Sequence, residues 1–245
     1  MVTESINKSF ILNLRRETGE FQVYLSFLSI DNISEASDNI LTGKSDRDYY
    51  ESVHNDNKKK EFLAGRSAVV HSLFLAGYPK DSITINRGVF GSPYIAGLYS
   101  NLPEVSIAHS HGVAVALVFP AGQQLAIDLE KINCDKISRM KAIRSVLTNE
   151  ELKGIADDPE MSAIPLYTLW SQKEALSKVL KCGLTVPFSV LETITPVVHG
   201  EWSEALFRNF FQYRVVSFLF QRKFVFSMVL PRKTEILNLE DVLSN

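Results

Sequence analysis

LYTLWSQKEALSKVL, residues Leu166–Leu180, carries the clearest helical pattern of this 245-residue chain. At 100° per residue its large apolar side chains form one stripe: Leu166, Leu169, Trp170, Leu176 and Leu180. Lys173 falls in the middle of that stripe, with Glu174 at its edge and Lys178 one turn further on. A lysine among core positions is costly unless it snorkels or meets a counter-charge. A surface i,i+4 pair explains Glu174 and Lys178 but not Lys173, whereas a polyanionic ligand explains all three.

An acidic strand is predicted upstream, in LAIDLEKI at Leu125–Ile132. Apolar residues alternate there with Asp128 and Glu130, so the two carboxylates share one face, with Cα atoms about 6.6 Å apart. Such a pair can reach one divalent ion, and Mg²⁺ commonly combines one or two carboxylates with substrate phosphates. A half-buried strand with a solvated acidic face is the competing interpretation.

A third charged residue sits in the helix predicted for NDNKKKEFLAGRSAVVHSLFLAGY, residues 55–78. Arg66 shares a face with Phe62, Val69 and Leu73, so it interrupts an apolar stripe. Its fork of donors suits a phosphate, but equally suits a buried carboxylate partner. His109, at the end of a strand predicted from Val105, could bind phosphate or be a satisfied turn residue.

The predicted elements fall into two nearly equal halves. We expect helices and strands in both, and a boundary near 120–123 that separates a subdomain of residues 1–121 from one of residues 122–245. The second half would contain the acidic strand, helices near 136–147 and from 149, the helix of Leu166–Leu180, and paired strands in FQYRVVSFLFQRKFVFSMVL.

The amino-acid composition and the net charge argue against several classes of function. Twenty-six Lys and Arg against 28 Asp and Glu give a net charge of −2, with 45% apolar residues. This balance argues against general binding to nucleic acid or membrane surfaces, which usually needs a basic excess. Two cysteines form no disulfide framework, and neither a signal peptide nor an apolar membrane span is visible. We expect a reduced, cytoplasmic protein.

Six short motifs occur in a fixed order: FLAGR (62–66), GSPY (91–94), SIAHSHG (106–112), IDLE (127–130), LTNEE (147–151) and WSQKEALSK (170–178). Together they resemble the 4′-phosphopantetheinyl transferases, and within them the surfactin-synthetase-activating type. The chain departs from that pattern at Ser92, where relatives usually have lysine, and at Ala108, where they have serine. It also lacks the first glycine of G-K-G-L, at Lys181.

The resemblance implies an α+β fold: two similar α/β subdomains related by a pseudo-twofold, an active site in the cleft between them, and a monomer. It implies an enzyme, a holo-[carrier protein] synthase. Coenzyme A, as co-substrate, would donate its phosphopantetheine arm to a serine of an apo carrier, releasing adenosine 3′,5′-bisphosphate. Such carriers serve nonribosomal peptide, polyketide or fatty acid synthesis.

Residue roles are implied in the same way. Asp128, Glu130 and Glu174 would hold Mg²⁺ against the pyrophosphate. Glu174, or a metal-bound water, would take the serine proton, with Glu151 a second candidate. Lys173 would stabilise charge developing on the phosphate. The implied phosphate-binding residues are Arg66, His109, Lys173 and Lys178, with Arg66 and His109 on the 3′-phosphate side.

The implied partner is a folded apo acyl or peptidyl carrier protein or domain, acidic around its serine. A basic helix with Lys136, Arg139, Lys141 and Arg144 follows the acidic strand, and we expect it either to face the carrier or to be an ordinary solvated face. A catalytically weak or inactive relative that binds coenzyme A or the carrier is an alternative, suggested by Ser92 and Ala108. A phosphodiester hydrolase using the same acidic pair is a third.

Overall fold

The computed structural model describes residues 6–32, 40, 43–79, 83–88 and 91–244. The chain divides into two compact units. Unit 1 consists of Met1–Gln123 and Thr234–Val242, and unit 2 consists of Gln124–Lys233 and Leu243–Asn245. The chain passes from unit 1 to unit 2 between Gln123 and Gln124, and the sequence pattern predicted this division between residues 121 and 122. The return of residues 234–242 to unit 1 was not predicted.

Groups of strands and groups of helices follow one another along the described chain. The first half contains β1 (Asn7–Arg16), β2 (Gly19–Ser29), α1 (Lys44–Ser52), α2 (Asp56–Leu75), β3 (Ile83–Arg87), β4 (Pro93–Gly97), β5 (Glu104–Ser110) and β6 (Val113–Phe119). The second half contains β7 (Ala126–Lys131), α3 (Ile137–Val146), α4 (Asn149–Leu152), α5 (Pro159–Val179), β8 (Val197–His199), β9 (Trp202–Leu206), β10 (Tyr213–Phe220), β11 (Phe224–Pro231), β12 (Glu235–Ile236) and α6 (Glu240–Leu243). The fold is of the α+β class.

Unit 1 is built on a five-stranded antiparallel sheet in the order β12-β1-β2-β6-β5. Helix α2 packs on this sheet through its buried face, with Ala68, Val69 and Leu73 against Ala116 and Val118 of β6. The side chain of Asn55 accepts the backbone N–H of Lys58 at 3.0 Å and so begins the helix.

Unit 2 is built on a second antiparallel sheet in the order β7-β11-β10-β9-β8, and α5 packs against β7 and β11. The side chain of Asp158 accepts the N–H of Met161 and begins α5, with Pro159 in its first turn. Buried residues of α5 form two apolar clusters, one with α3 and one with β10 and β11. β7 is therefore held between its neighbour β11 and a fully packed helix.

The long elements confirm the predictions from periodicity. The helix over 55–78, the strand from Val105, the acidic strand and the two C-terminal strands are all present. Helix α5 begins seven residues before the predicted start, because Asp158 caps it and the helix continues through Pro165. Proline is typical of a first helical turn, so the pattern favoured a later start.

Gly65 lets α2 approach β5 closely. A Cβ atom at this position would lie 2.9 Å from Cγ2 of Ile107. We expect Gly65→Val to lower the free energy of unfolding of unit 1 by about 1–3 kcal/mol through overpacking. Urea denaturation of Gly65→Val, of Ile107→Ala and of the double variant checks the cause. The double variant should lose less unfolding free energy than the sum of the two single losses, and a strictly additive loss would contradict the close contact.

Candidate active site

Three carboxylates meet where β7 packs on α5. Asp128 and Glu130 lie on the face of β7 that contacts the helix, and Glu174 lies on the helix itself. Asp128 is 6% exposed. Its Oδ1 accepts the ammonium of Lys178 at 2.9 Å, and the same Nζ donates to the carbonyl of Ile127. Oδ2 of Asp128 is buried with no hydrogen-bond partner among the described residues.

Glu130 is held through one oxygen. Its Oε1 accepts the indole N–H of Trp170 at 2.8 Å and Nη2 of Arg139 at 3.2 Å. The guanidinium carbon of Arg139 lies 4.5 Å from the centre of the Trp170 ring, so the arginine also stacks on the indole. Trp170 also forms a T-shaped aromatic pair with Phe188, with ring centres 4.8 Å apart.

The pKa values of both glutamates are raised. Burial, and then the charge of Asp128, raise the pKa of Glu130 to about 7, although Arg139 and the Trp170 N–H act in the opposite direction. Burial, and then Asp128, also raise the pKa of Glu174, against Lys178 and Arg139. Removal from water is the larger cause in both cases, and the negative charge of Asp128 adds to it.

The donor set suits a hard divalent cation, because it consists of carboxylate oxygens with one buried oxygen unbonded and two raised pKa values. The side chains are not arranged as a finished coordination shell: the described parts of the chain contain no group of three or more His, Cys, Asp or Glu side chains that could hold a metal ion as placed. Lys178 and Arg139 instead occupy one oxygen each on Asp128 and Glu130. The chemistry fits Mg²⁺, and binding would require these oxygens to be shared or released.

Lys173 belongs to a separate, fully buried cluster. Its Nζ donates to Oε1 of Glu151 at 2.7 Å and to the carbonyls of Phe188 and Leu191 at 2.7 and 3.2 Å. Both charged side chains are 0% exposed. Burial lowers the pKa of Lys173, and the Glu151 carboxylate opposes that shift. An ammonium has three donors, so Lys173 can contact a phosphate only by giving up one of these bonds.

Glu151 is saturated in the same cluster. Its Oε2 accepts the N–H of Thr148 at 2.9 Å while the Thr148 hydroxyl accepts the N–H of Glu151, which is a capping box at the start of α4. Its Oε1 also accepts the N–H of Thr193 at 2.8 Å. Glu151 therefore supplies the counter-charge that the buried Lys173 needs, and no ligand is required for it. Glu151 would have to leave these bonds to act as a base.

The two predicted phosphate ligands of unit 1 each have a carboxylate neighbour. Arg66 is buried, its Nε donates to Oδ2 of the fully buried Asp46, and its Nη2 donates to Oδ1 at 2.9 Å. Of the two alternatives for Arg66, the structure shows the carboxylate pair. His109 is half exposed, and its Nδ1 lies 3.7 Å from Oε2 of Glu61.

The structure thus gathers four of the predicted residues: Asp128, Glu130, Glu174 and Lys178. Sequence reasoning missed Trp170 and Arg139 as partners of Glu130, and Asp46 as the partner of Arg66. Trp170 lies four residues before Glu174, so helical spacing already placed both side chains on one face. Nothing in the sequence paired Asp46 with Arg66, because 20 residues separate them.

The match of unit 2 to a known family follows from a comparison with family sequence models. Residues 124–229 match the 4′-phosphopantetheinyl transferase superfamily. The matched segment covers nearly all of unit 2 and includes the carboxylate cluster. No curated protein matches the chain. A similar solved structure is the crystal structure of Thermotoga maritima holo-[acyl-carrier-protein] synthase (AcpS), with 20% identity over 49% of this chain and 70% of that chain and a TM-score of 0.33. No helix in the described residues has the length and apolar character to cross a membrane.

The raised pKa of Glu130 makes stability depend on pH. Between its ordinary value of 4.5 and about 7, the folded protein retains a proton that the unfolded chain has released. Stability of the metal-free protein should therefore fall as pH rises through this window, by up to about 3 kcal/mol, and the loss is complete above pH 7.

Urea denaturation at several pH values in the presence of a chelator measures this slope. Glu130→Gln should flatten it, whereas Glu160→Gln, at an exposed position of α5, should not. An unchanged slope in Glu130→Gln would show that Glu130 does not titrate in this range.

Proposed function

We propose that the protein transfers the 4′-phosphopantetheine group of coenzyme A to a serine of an apo carrier protein, in a Mg²⁺-dependent reaction. One observation carries this proposal: the segment that matches the superfamily places Asp128 and Glu130 on β7 and Glu174 on α5, two elements that pack on each other, and Oδ2 of Asp128 is buried there with no hydrogen-bond partner among the described residues. Phosphoryl transfer asks a protein mainly for positioning and charge neutralisation, and this site supplies charged groups on two rigid elements.

Asp128, Glu130 and Glu174 would hold the Mg²⁺. The unbonded Oδ2 of Asp128 and the raised pKa values of the two glutamates support this assignment. The ion, when bound, would polarise the pyrophosphate of coenzyme A and offset charge on the leaving phosphate. β7 and α5 would fix the carboxylates relative to one another, since both elements are buried and packed on each other.

Glu174 is the better candidate for taking the serine proton. Its pKa is raised, which brings it closer to the neutral range where a general base works best. Its carboxylate makes no side-chain hydrogen bond or ion pair with another described residue, in contrast to that of Glu151. Lys178 would bind a phosphate beside the carboxylates, and the partial exposure of its side chain, 29%, supports this role.

Lys173 and Glu151 are assigned a supporting role in this proposal. Their ion pair ties α4, α5 and the backbone at 188–193 together, so it fixes the helix that presents Glu174. A direct phosphate contact by Lys173 stays a prediction from the resemblance, as do contacts of Arg66 and His109 with the 3′-phosphate.

The partner would be an apo acyl or peptidyl carrier, docked through the basic helix α3. Its two arginines bond within unit 2: Arg139 with Glu130, and Arg144 with the carbonyl of Ala156 and with Asp157. Lys136 and Lys141 are exposed and are the residues we expect an acidic carrier to meet. The biosynthetic pathway depends on which carrier protein is modified, and the motifs do not identify that carrier.

A weakly active relative that binds coenzyme A or the carrier is the second candidate. The structure favours it in one respect, because Lys173 and Arg66, two of the predicted phosphate ligands, are both paired with buried carboxylates. Buried pairs of this kind are expensive to break by removing one partner. Turnover measurements separate the two functions.

Incubation of the protein with coenzyme A, Mg²⁺ and an apo carrier tests the transfer directly. Mass spectrometry of the carrier should show the gain of one phosphopantetheine, lost when a chelator replaces Mg²⁺. Asp128→Ala should abolish turnover and Glu174→Gln should lower kcat at least about 100-fold. A panel of apo carriers from several pathways with no mass gain in any would overturn the proposal and leave the binding relative.

Arg66 requires a designed background, because its removal alone leaves Asp46 buried and unpaired. In the Asp46→Asn background, Arg66→Met should raise the KM for coenzyme A at least 10-fold while changing that for 3′-dephospho-coenzyme A little, if Arg66 binds the 3′-phosphate. The Asp46→Asn single variant is the matched control. Equal effects on both substrates would assign Arg66 to structure alone.

A further inference from the structure

Arg139 occupies an unexpected place for a residue of a basic helix. It lies at the start of α3, a helix with exposed neighbours Lys136 and Lys141, yet its side chain turns toward α5. Its guanidinium stacks on Trp170 at 4.5 Å and its Nη2 donates to Oε1 of Glu130 at 3.2 Å. Its side chain is 40% exposed, so it covers the indole from the solvent side.

The three side chains form a closed arrangement. Trp170 and Arg139 both donate to the same oxygen of Glu130, Oε1, and Oε2 makes no hydrogen bond with the described residues. The indole also contacts both Arg139, stacked at 4.5 Å, and Phe188, with ring centres 4.8 Å apart. The carboxylate can therefore rotate only by breaking two hydrogen bonds, one of them charge-assisted.

We propose that Arg139 is a positioning residue that fixes the Glu130 carboxylate, and the Trp170 indole that also holds it, so that Oε2 of Glu130 is presented to a divalent cation. This inference rests on the proposed function, because it takes Glu130 as a ligand of that ion. It moves Arg139 from the expected carrier surface to the support of the carboxylate cluster. Partners of this kind typically change metal affinity 10–100-fold when they are removed.

Charge and positioning predict opposite signs for the loss of Arg139. By Coulomb's law alone, removing a cation next to the carboxylates strengthens the binding of a second cation. If Arg139 acts by orienting Glu130, its loss weakens binding in spite of the more favourable charge. The direction of the change in Mg²⁺ affinity therefore decides between the two roles without any activity measurement.

The experiment is calorimetric titration of the whole chain with MgCl₂ alone. We expect Arg139→Gln to weaken Mg²⁺ binding about 10-fold. Arg139→Lys should also weaken it, because an ammonium keeps the charge but cannot stack as a plane and donate in a fixed direction. Arg144→Gln is the matched control on the same helix, since Arg144 bonds to Ala156 and Asp157 instead, and its Mg²⁺ affinity should equal that of the wild type.

The outcomes are separable. Unchanged or tighter Mg²⁺ binding in Arg139→Gln, with normal binding by the wild type, overturns the positioning role and leaves the proposed function standing. A wild-type protein that binds no Mg²⁺ overturns the metal-dependent function and the positioning role together. Carrier titration gives a second readout: an effect on the KM for the carrier in Arg139→Gln as large as that in Lys141→Gln, with metal affinity unchanged, would return Arg139 to the carrier surface.

Discussion

Burial of the carboxylates of Glu130 and Glu174 beside Asp128 is the physical constraint on which the candidate site of unit 2 depends. Carboxylates removed from water and placed near another negative charge destabilise the fold unless cations meet them. The chain keeps all three on two packed elements, an edge strand bonded to β11 and a helix that contributes to two apolar clusters. Packing holds together groups that electrostatics would separate, as expected of a binding site rather than of a structural core.

The cations that the motifs single out, together with Arg139, are held in two different ways. Lys178 and Arg139 each bond one oxygen of one carboxylate and keep part of their side chains in solvent. Lys178 can release Asp128 to a bound ion or substrate, whereas the second oxygen of Glu130 stays accessible to an ion while Arg139 holds the first. Lys173 and Arg66 are buried in pairs with Glu151 and Asp46. A motif lysine and a motif arginine can thus be bound to buried carboxylates of the fold while another motif lysine, Lys178, remains partly exposed to solvent. Residue type alone does not separate the two uses.

Periodicity predicted the long elements and the shared face of Asp128 and Glu130 because both follow from local geometry. It also flagged Lys173 and Arg66 as charges on apolar stripes, which is correct, but it could not identify what neutralises them. Those partners lie far along the chain: Glu151 is 22 residues from Lys173, and its third bond goes to Thr193. Tertiary contacts decide whether a cation is available. The short elements β8, β12 and α1 were not predicted either. β8 and β12 depend on pairing with β9 and β1, and α1 carries Asp46, which bonds to Arg66 of α2.

The path of the chain bears on how the protein assembles during synthesis. β12 pairs with Leu14 and Arg15 of β1, and the residues after it continue along the strand, with the N–H of Leu237 donating to the carbonyl of Asn13. This segment follows the whole of 124–233 in the chain. The ribosome must therefore release all of the second unit before the first sheet acquires its edge strand. Until then β1 presents open N–H and C=O groups, the template that promotes association between nascent chains. Unit 2, made from one nearly continuous stretch, can complete its own sheet first, so the earlier-synthesised unit is the later one to finish folding.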